Sequence, residues 1–434
     1  MGFGAWGYRH RFGRHIAWVL WLLVASGCGG SEAPPGTDTV LRVWAHAGQA
    51  AERSALEEIV RRFEAGGRQV ALTFLPERAY HAQVQAAALA GDLPDVLELD
   101  GPYLYNYVWQ GVLQPLDPWI DAALRADLLP SILDQGRYRG RLYGLGMFDS
   151  GLGLYGRRSV LRAAGARIPA HPREAWTAEE FDALLERLAA RDPDGAVLDL
   201  KLNYPDEWFT YAFSPLIQSA GGDLIDRRDY RSAEGILNGP EAVAALTRVQ
   251  RWLRSGRVDP NVDDAAFTTG RVALSWAGHW EYRRYREAAG DDLVLLPLPD
   301  FGRGSRTGQG SWLWTITRRA RDPAAAGRFI AFLLEPDNAL AMSRANAAVP
   351  ARQTAIARSP WYRPGGPLRL FAVQLAEGYG VPRPKTPAYP VISAAFRRAF
   401  AAIRDGAPVQ DALDRAVVAI DQDIRDNRGY RSPR

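Results

Sequence analysis

Cysteine is almost missing from this chain: among 434 residues there is one, Cys28. That excludes an intramolecular disulfide framework and any multi-cysteine metal site. Lysine is nearly as scarce, with only Lys201 and Lys385, so arginine carries the positive charge. The six histidines, His10, His15, His46, His81, His171 and His279, are scattered, which argues against a metal cluster. An excess of one charge sign is also lacking. The 53 basic and 49 acidic side chains leave +4. Setting aside Arg9, Arg11 and Arg14 near the start leaves about +1, too little to imply nucleic-acid binding. Local catalytic signatures are absent: no Gly-x-Ser-x-Gly, no His-Glu-x-x-His and no Gly-Lys-Ser/Thr phosphate loop. Gly151-Leu-Gly153-Leu-Tyr-Gly156 matches the dinucleotide fingerprint by letter, but Met147-Phe-Asp-Ser before it and Arg157-Arg158-Ser159 after it do not supply the flanking strand and helix. These glycines read as strand and turn residues, and no cofactor or metal is expected.

What is present is a chain with 47% hydrophobic residues, long enough for two or three lobes with their own cores. At the start, the basic Arg9–Arg14 region and the apolar run Ile16–Val24 precede Ala25, Ser26, Gly27 and Cys28. This order resembles a bacterial lipoprotein signal, in which residues 1–27 are removed and Cys28 is acylated. Residues 28–38, rich in Gly, Ser and Pro, read as a flexible tether. No other stretch is apolar for long enough to cross a bilayer.

From Leu41 the periodicity predicts β-α-β-α-β order: a strand at 41–44, a helix at 52–63, a strand at 70–74, a helix at 81–90 and a strand at 95–99. Such alternation favours a parallel sheet. Thr177 and Glu180 form a capping-box pattern ahead of Phe181, Leu184, Leu185 and Leu188. Pro240 and Pro323 fit the first turns of two further helices, and Leu413, Ala416, Val417, Ile420 and Ile424 mark a closing one. The expected fold is α/β with two lobes.

Several motifs follow in order. They include Leu41-Arg-Val-Trp-Ala-His, Gly91-Asp-Leu-Pro-Asp-Val, Gly111-Val-Leu-Gln-Pro-Leu-Asp-Pro-Trp-Ile and Tyr143-Gly-Leu-Gly-Met-Phe-Asp-Ser. Trp176-Thr-Ala-Glu-Glu-Phe, Ala220-Gly-Gly-Asp, the Phe267 to Trp280 stretch and Ala348-Val-Pro-Ala-Arg come after them. Together, from about residue 40 to 425, they resemble the family 1 extracellular solute-binding proteins of ABC importers, the group that includes maltose-binding protein. The family usually shows Tyr-Asn where Tyr155-Gly156 stands. The resemblance implies a two-lobe periplasmic-binding-protein-like fold (type II), with residues 39–148 and 296–335 in one lobe and 149–295 and 336–434 in the other. It further implies an inter-lobe cleft, a sugar as ligand and a permease as partner.

A sugar needs fixed donors and acceptors for its hydroxyls and flat apolar partners for its C–H faces. The chain has 14 Trp and 17 Tyr. Trp44 and His46 are read as following the first strand at a lobe edge, and Asp100 as following the 95–99 strand with Tyr103 close behind. Asp149 falls in the first crossing, where the resemblance places a ligand-contacting acid. Trp208 and Tyr211 precede the Ala-Gly-Gly turn, Trp280 follows Gly278, Trp312 follows Gly310-Ser311, and Arg383 lies among prolines. Trp109, Trp252, Trp276 and Trp314 are assigned to packing. Each candidate has a plainer reading: Asp100 could cap the turn opened by Pro102, Asp149 could be a hinge hydrogen bond, and His46 a satisfied loop histidine. The expected function is a monomeric, lipid-anchored binding protein that delivers a sugar, most simply an oligosaccharide, to its permease. Two alternatives stand beside it: an exported glycosidase using Asp100 and Asp149, or a binding protein for a phosphorylated polyol or a peptide.

Overall fold

The computed structural model describes residues 40–204, 207–310 and 312–431. Cys28, the signal at 1–27 and all of the tether at 28–38 lie outside the described residues. The first lobe opens with β1 (Leu41–His46), α1 (Ala50–Glu64), β2 (Val70–Leu75), α2 (Tyr80–Ala90) and β3 (Val96–Asp100). The alternation expected from the sequence is therefore realised, with β1 pairing in parallel to both β2 and β3. Short α3 (Leu104–Trp109), β4 (Leu113–Gln114) and β5 (Gly144–Leu145) follow.

The chain then crosses and builds a second sheet from β6 (Leu152–Arg157), β7 (Leu198–Asp199), β8 (Leu274–Gly278) and β9 (Leu293–Leu296), in the order β7-β8-β6-β9. Gly153 and Gly156 lie inside β6, which settles them as strand residues. A short helix, Arg158–Ala163, does follow them, contrary to the sequence reading. Around this sheet run α4 (Ala178–Ala189), α5 (Trp208–Ala220) and α6 (Pro240–Arg254). The capping box at Thr177 and Glu180 opens α4, and Pro240 is the first residue of α6.

β10 (Trp312–Thr317) returns to the first sheet and pairs antiparallel with β3, β4 and β5. The first sheet thus runs β2-β1-β3-β10-β4, its centre completed by a strand from far along the chain. α7 (Pro323–Leu333) and α8 (Pro336–Asn346) then cover it: Phe329, Ile330, Leu333 and Met342 join Val43, Ile59, Val96 and Trp314 in one core. α9 (Tyr389–Arg404) and α10 (Val409–Asp426) close the second core, where Phe396, Phe400, Leu413 and Ile420 meet Phe181, Leu184, Phe213 and Trp276. Trp252, Trp276 and Trp314 are buried as assigned, and Trp109, half-buried, also packs as assigned, against the second core with its ring edge-on to Tyr430 at 5.0 Å.

Between the sheets the chain passes more than once. Phe148–Asp149 pairs with Val349–Pro350, Ser150 bridges to Gly310, and Thr307–Gln309 pairs with Gly380–Pro382. Among the described residues no helix is long and apolar enough to cross a membrane.

Candidate functional site

Because β1 and β3 are parallel, their C-terminal ends share one edge of the first sheet. β10 runs the other way, so its first residue, Trp312, lies opposite Asp100, the last residue of β3. The topology alone therefore gathers His46, Asp100 and Trp312.

His46 is the last residue of β1, not a residue after it, and its ring stacks on Trp312 at 4.0 Å and 6°. Its Nδ1 and its backbone N–H both donate to Glu98 Oε2, at 2.8 and 3.1 Å, and Nε2 lies 3.7 Å from Glu52 Oε1. Burial opposes a charge on His46, but the carboxylates of Glu98 and Glu52 outweigh it and hold the imidazole well above its usual range. Burial likewise pushes Glu52 up, yet His46 brings it down to about 2. Trp44 also lies within β1. It shares the face of His46 but sits about 7 Å further from the edge, half-buried against the apolar cluster that includes Leu75, Tyr80, Val84 and Leu97. Tyr103 and Trp312 pack against the same cluster.

Asp100 does not cap the following turn with its side chain. Its two oxygens accept a bidentate pair from Arg383, 2.7 and 2.9 Å long. Arg383 Nη1 also donates to Glu207 Oε1 at 2.7 Å, so one buried guanidinium holds a carboxylate from each lobe. Burial opposes the charge on Arg383, and Asp100, Tyr389 and Glu207 more than restore it. Glu207 further accepts from Ser393 at 2.6 Å, from Tyr389 and, at 3.4 Å, from Tyr103. Tyr103 stacks on His81 at 3.9 Å and meets Tyr389 edge-on. The Nε of Arg383 is buried and has no partner.

The second lobe supplies an aromatic wall. The first turn of α5 carries Trp208 and Tyr211, and the turn after β8 carries Trp280. Trp208 meets Trp280 edge-on at 6.0 Å, and Tyr211 lies 6.3 Å from it. Trp208 is anchored by its indole N–H on the Leu200 carbonyl, and Tyr211 by its hydroxyl on Ser150 Oγ at 2.7 Å. The Arg383 guanidinium lies over the Tyr211 ring. Gln49, just before α1, donates to the Trp280 carbonyl at 3.0 Å, so this wall touches the first lobe.

Asp149 stands apart from this group. It is wholly buried in the crossing, where Gln135, Gln309 and the Ser150 N–H donate to it. Burial pushes its pKa up to about 6 against those bonds. It lies in the crossing, where Phe148–Asp149 pairs with Val349–Pro350. Cavities of 270 and 350 Å³ lie elsewhere, one lined by residues of α4 and α6, the other beside Gly91, Gly111, Arg318 and Arg319. Neither includes the residues just described.

Glu52, Glu98, Glu207, Tyr80, His81 and Tyr389 were not singled out from the sequence. Glu98 carried a signal: it is a lone charge inside the apolar strand Val96-Leu-Glu-Leu-Asp100, and a buried carboxylate requires a partner. Glu207 had none beyond its place ahead of an aromatic helix.

The chain belongs to the bacterial extracellular solute-binding protein family, which it matches over residues 58–364. That family membership places its work outside the cytoplasm. Relatives named as binding proteins in Brucella abortus and Brucella suis are 23% identical over 227 residues, 50% of this chain and 53% of theirs. The chain thus spans about half the length of the curated relatives it matches. Among solved structures it is similar to the GacH receptor of Streptomyces glaucescens GLA.O, crystallised unliganded and with acarbose and an acarbose homolog. The TM-score is 0.76 at 20% identity, over 89% of this chain and 98% of that one. It is also similar to the cyclic α-maltosyl-1,6-maltose binding protein of Arthrobacter globiformis, with a TM-score of 0.74 at 21% identity, over 90% of this chain and all of that one. These likenesses establish the two-domain α/β fold.

Proposed function

We propose that the protein captures a sugar, most simply an oligosaccharide, between its lobes and hands it to the permease of an ABC importer as a monomer held to the membrane through acylated Cys28. The observation that carries this reading is the meeting of two kinds of surface at one edge. Half-exposed rings, Tyr103, Trp280 and Trp312, stand beside Asp100, Arg383 and Glu207. Rings cover the apolar face of a pyranose, and ionised groups bind its hydroxyls by charge-assisted hydrogen bonds. The sugars named with the structural neighbours support the same class.

The binding protein performs no chemistry on its ligand. A glycosidase needs two accessible carboxyl groups flanking the bond. Here Asp100 is engaged on both oxygens and Asp149 is wholly buried. A phosphorylated ligand is disfavoured because Arg383 is already outnumbered by Asp100 and Glu207.

The test is calorimetric titration of the purified protein with a panel of neutral mono- and oligosaccharides, followed by chromatography of the recovered sugar. Saturable binding of at least one sugar, returned intact, is expected. Failure of every sugar, or time-dependent product, overturns the proposal.

A further inference from the structure

We infer that Gly278 is a positioning residue for the proposed sugar site: lacking a side chain, it lets the Trp280 ring fold back over the end of β8 and so sets where this platform stands. The inference rests on the reading of Trp280 as part of that site.

The backbone of Gly278, at φ −96° and ψ −170°, is extended, a conformation open to any residue. Glycine is therefore not needed there for its conformational freedom. What it provides is room. A Cβ built on Gly278 would lie 2.1, 2.4 and 2.6 Å from Cζ3, Cη2 and Cε3 of Trp280, and those are its three nearest atoms. The main chain cannot retreat, because Gly278 is paired to Leu152 across the sheet and its carbonyl accepts from the Tyr155 hydroxyl at 3.0 Å. At the other end, the Trp280 carbonyl is held by Gln49. A methyl group at 278 must therefore displace the ring. Trp208, Tyr211 and His279 bound that ring on its buried sides, and His279 is itself fixed by Nδ1 on the Asn346 carbonyl. The remaining direction is the half-exposed one.

Gly308 and Gly310 crowd Tyr211 and Arg383 in a related way, but a Cβ at Gly308 would strike the Tyr211 main-chain oxygen at 2.7 Å, and one at Gly310 would strike a guanidinium fixed by two carboxylates. Gly278 is different because a substitution there moves one side chain and spares the frame. In functional terms, residue 278 tunes the gap between the indole and the first lobe, hence which sugar rings fit, without touching the ligand.

The experiment compares wild type, Gly278→Ala, Trp280→Ala and the double variant, with maltotriose and maltotetraose as probes in calorimetric titrations. Gly278→Ala should change affinity by about fivefold or more and alter the ratio between the two probes, because a platform displaced by about 1 Å no longer matches the ring it covers. In the Trp280→Ala background the same change should have no further effect. Equal effects in both backgrounds, or none in wild type, overturn the inference. If Trp280→Ala itself leaves affinity unchanged, the reading of Trp280 as a sugar platform fails, a separate result. A readout without ligand uses 5-fluorotryptophan labelling: the ¹⁹F resonance that disappears in Trp280→Ala should shift in Gly278→Ala. An unmoved resonance overturns the inference even if neither probe binds.

Discussion

Replacing Arg383 by methionine would strand two carboxylates that now share its charge. The side chains of Arg383, Asp100 and Glu207 are only 5, 10 and 15% exposed, so water screens the three bonds between them weakly. Removing one partner of a buried ion pair typically costs about 3–5 kcal/mol, since the remaining charge stays desolvated. We expect Arg383→Met to lose about that much stability at pH 7 in urea denaturation followed by circular dichroism. A triple variant that adds Asp100→Asn and Glu207→Gln should recover most of it, because the buried charges are then gone. Asp100 and Glu207 belong to different lobes, so the reasoning requires the lobes to meet in solution as they do in the structure. A loss under about 1 kcal/mol for Arg383→Met at pH 7 would refute it, since that is the worth of a solvated surface pair.

Three more outcomes follow from the geometry. Asp149, with its folded pKa raised to about 6, binds more protons in the native than in the unfolded chain between about pH 4 and 6. Its contribution is therefore present at low pH and lost as pH rises through that window, by about 3 kcal/mol. Asp149→Asn should flatten this part of the stability profile, and an unchanged slope would show that Asp149 is not the titrating group. Trp276→Ala, which empties a core position with no exposure, should cost about 3–5 kcal/mol, whereas Trp280→Ala should cost clearly less in the same urea melts. Equal losses would make Trp280 a core residue. Cys28→Ala should abolish labelling by a radioactive fatty acid and release the protein from the membrane fraction; labelling that persists defeats the anchor.

The local part of the fold was legible because its signals are local. Helix α1 was read at 52–63 and runs from Ala50 to Glu64, and β2 was read at 70–74 and runs to Leu75. Side-chain period and capping chemistry need no knowledge of the rest of the chain. The place of β10 needs it, since nothing near Trp312 says that its neighbours are β3 and β4. The site divides along the same line. His46, Asp100 and Trp312 stand at strand ends that periodicity locates, and glycine punctuation flagged Trp280. Their partners Glu52, Glu98 and Glu207 come from other elements, so the pairing that makes them functional exists only in three dimensions. Asp149 lies in the crossing, which the motif order alone locates.

The insertion of β10 also bears on the order in which the chain can fold. β3 and β4 do not pair with each other; in the sheet they are joined through a strand that is made after the entire second sheet. Until residue 317 has emerged, the first lobe lacks the middle of its own sheet, and β3 is left with an open edge. α7 and α8, which supply one side of that core, come later still. Closing so long a loop is slow, because its entropy must be given up before the contacts it permits can form. A nascent N-terminal segment therefore lacks the strand that completes its sheet. For a family that works outside the cytoplasm, a sheet completed so late leaves the first lobe without its middle strand while most of the chain is still being made.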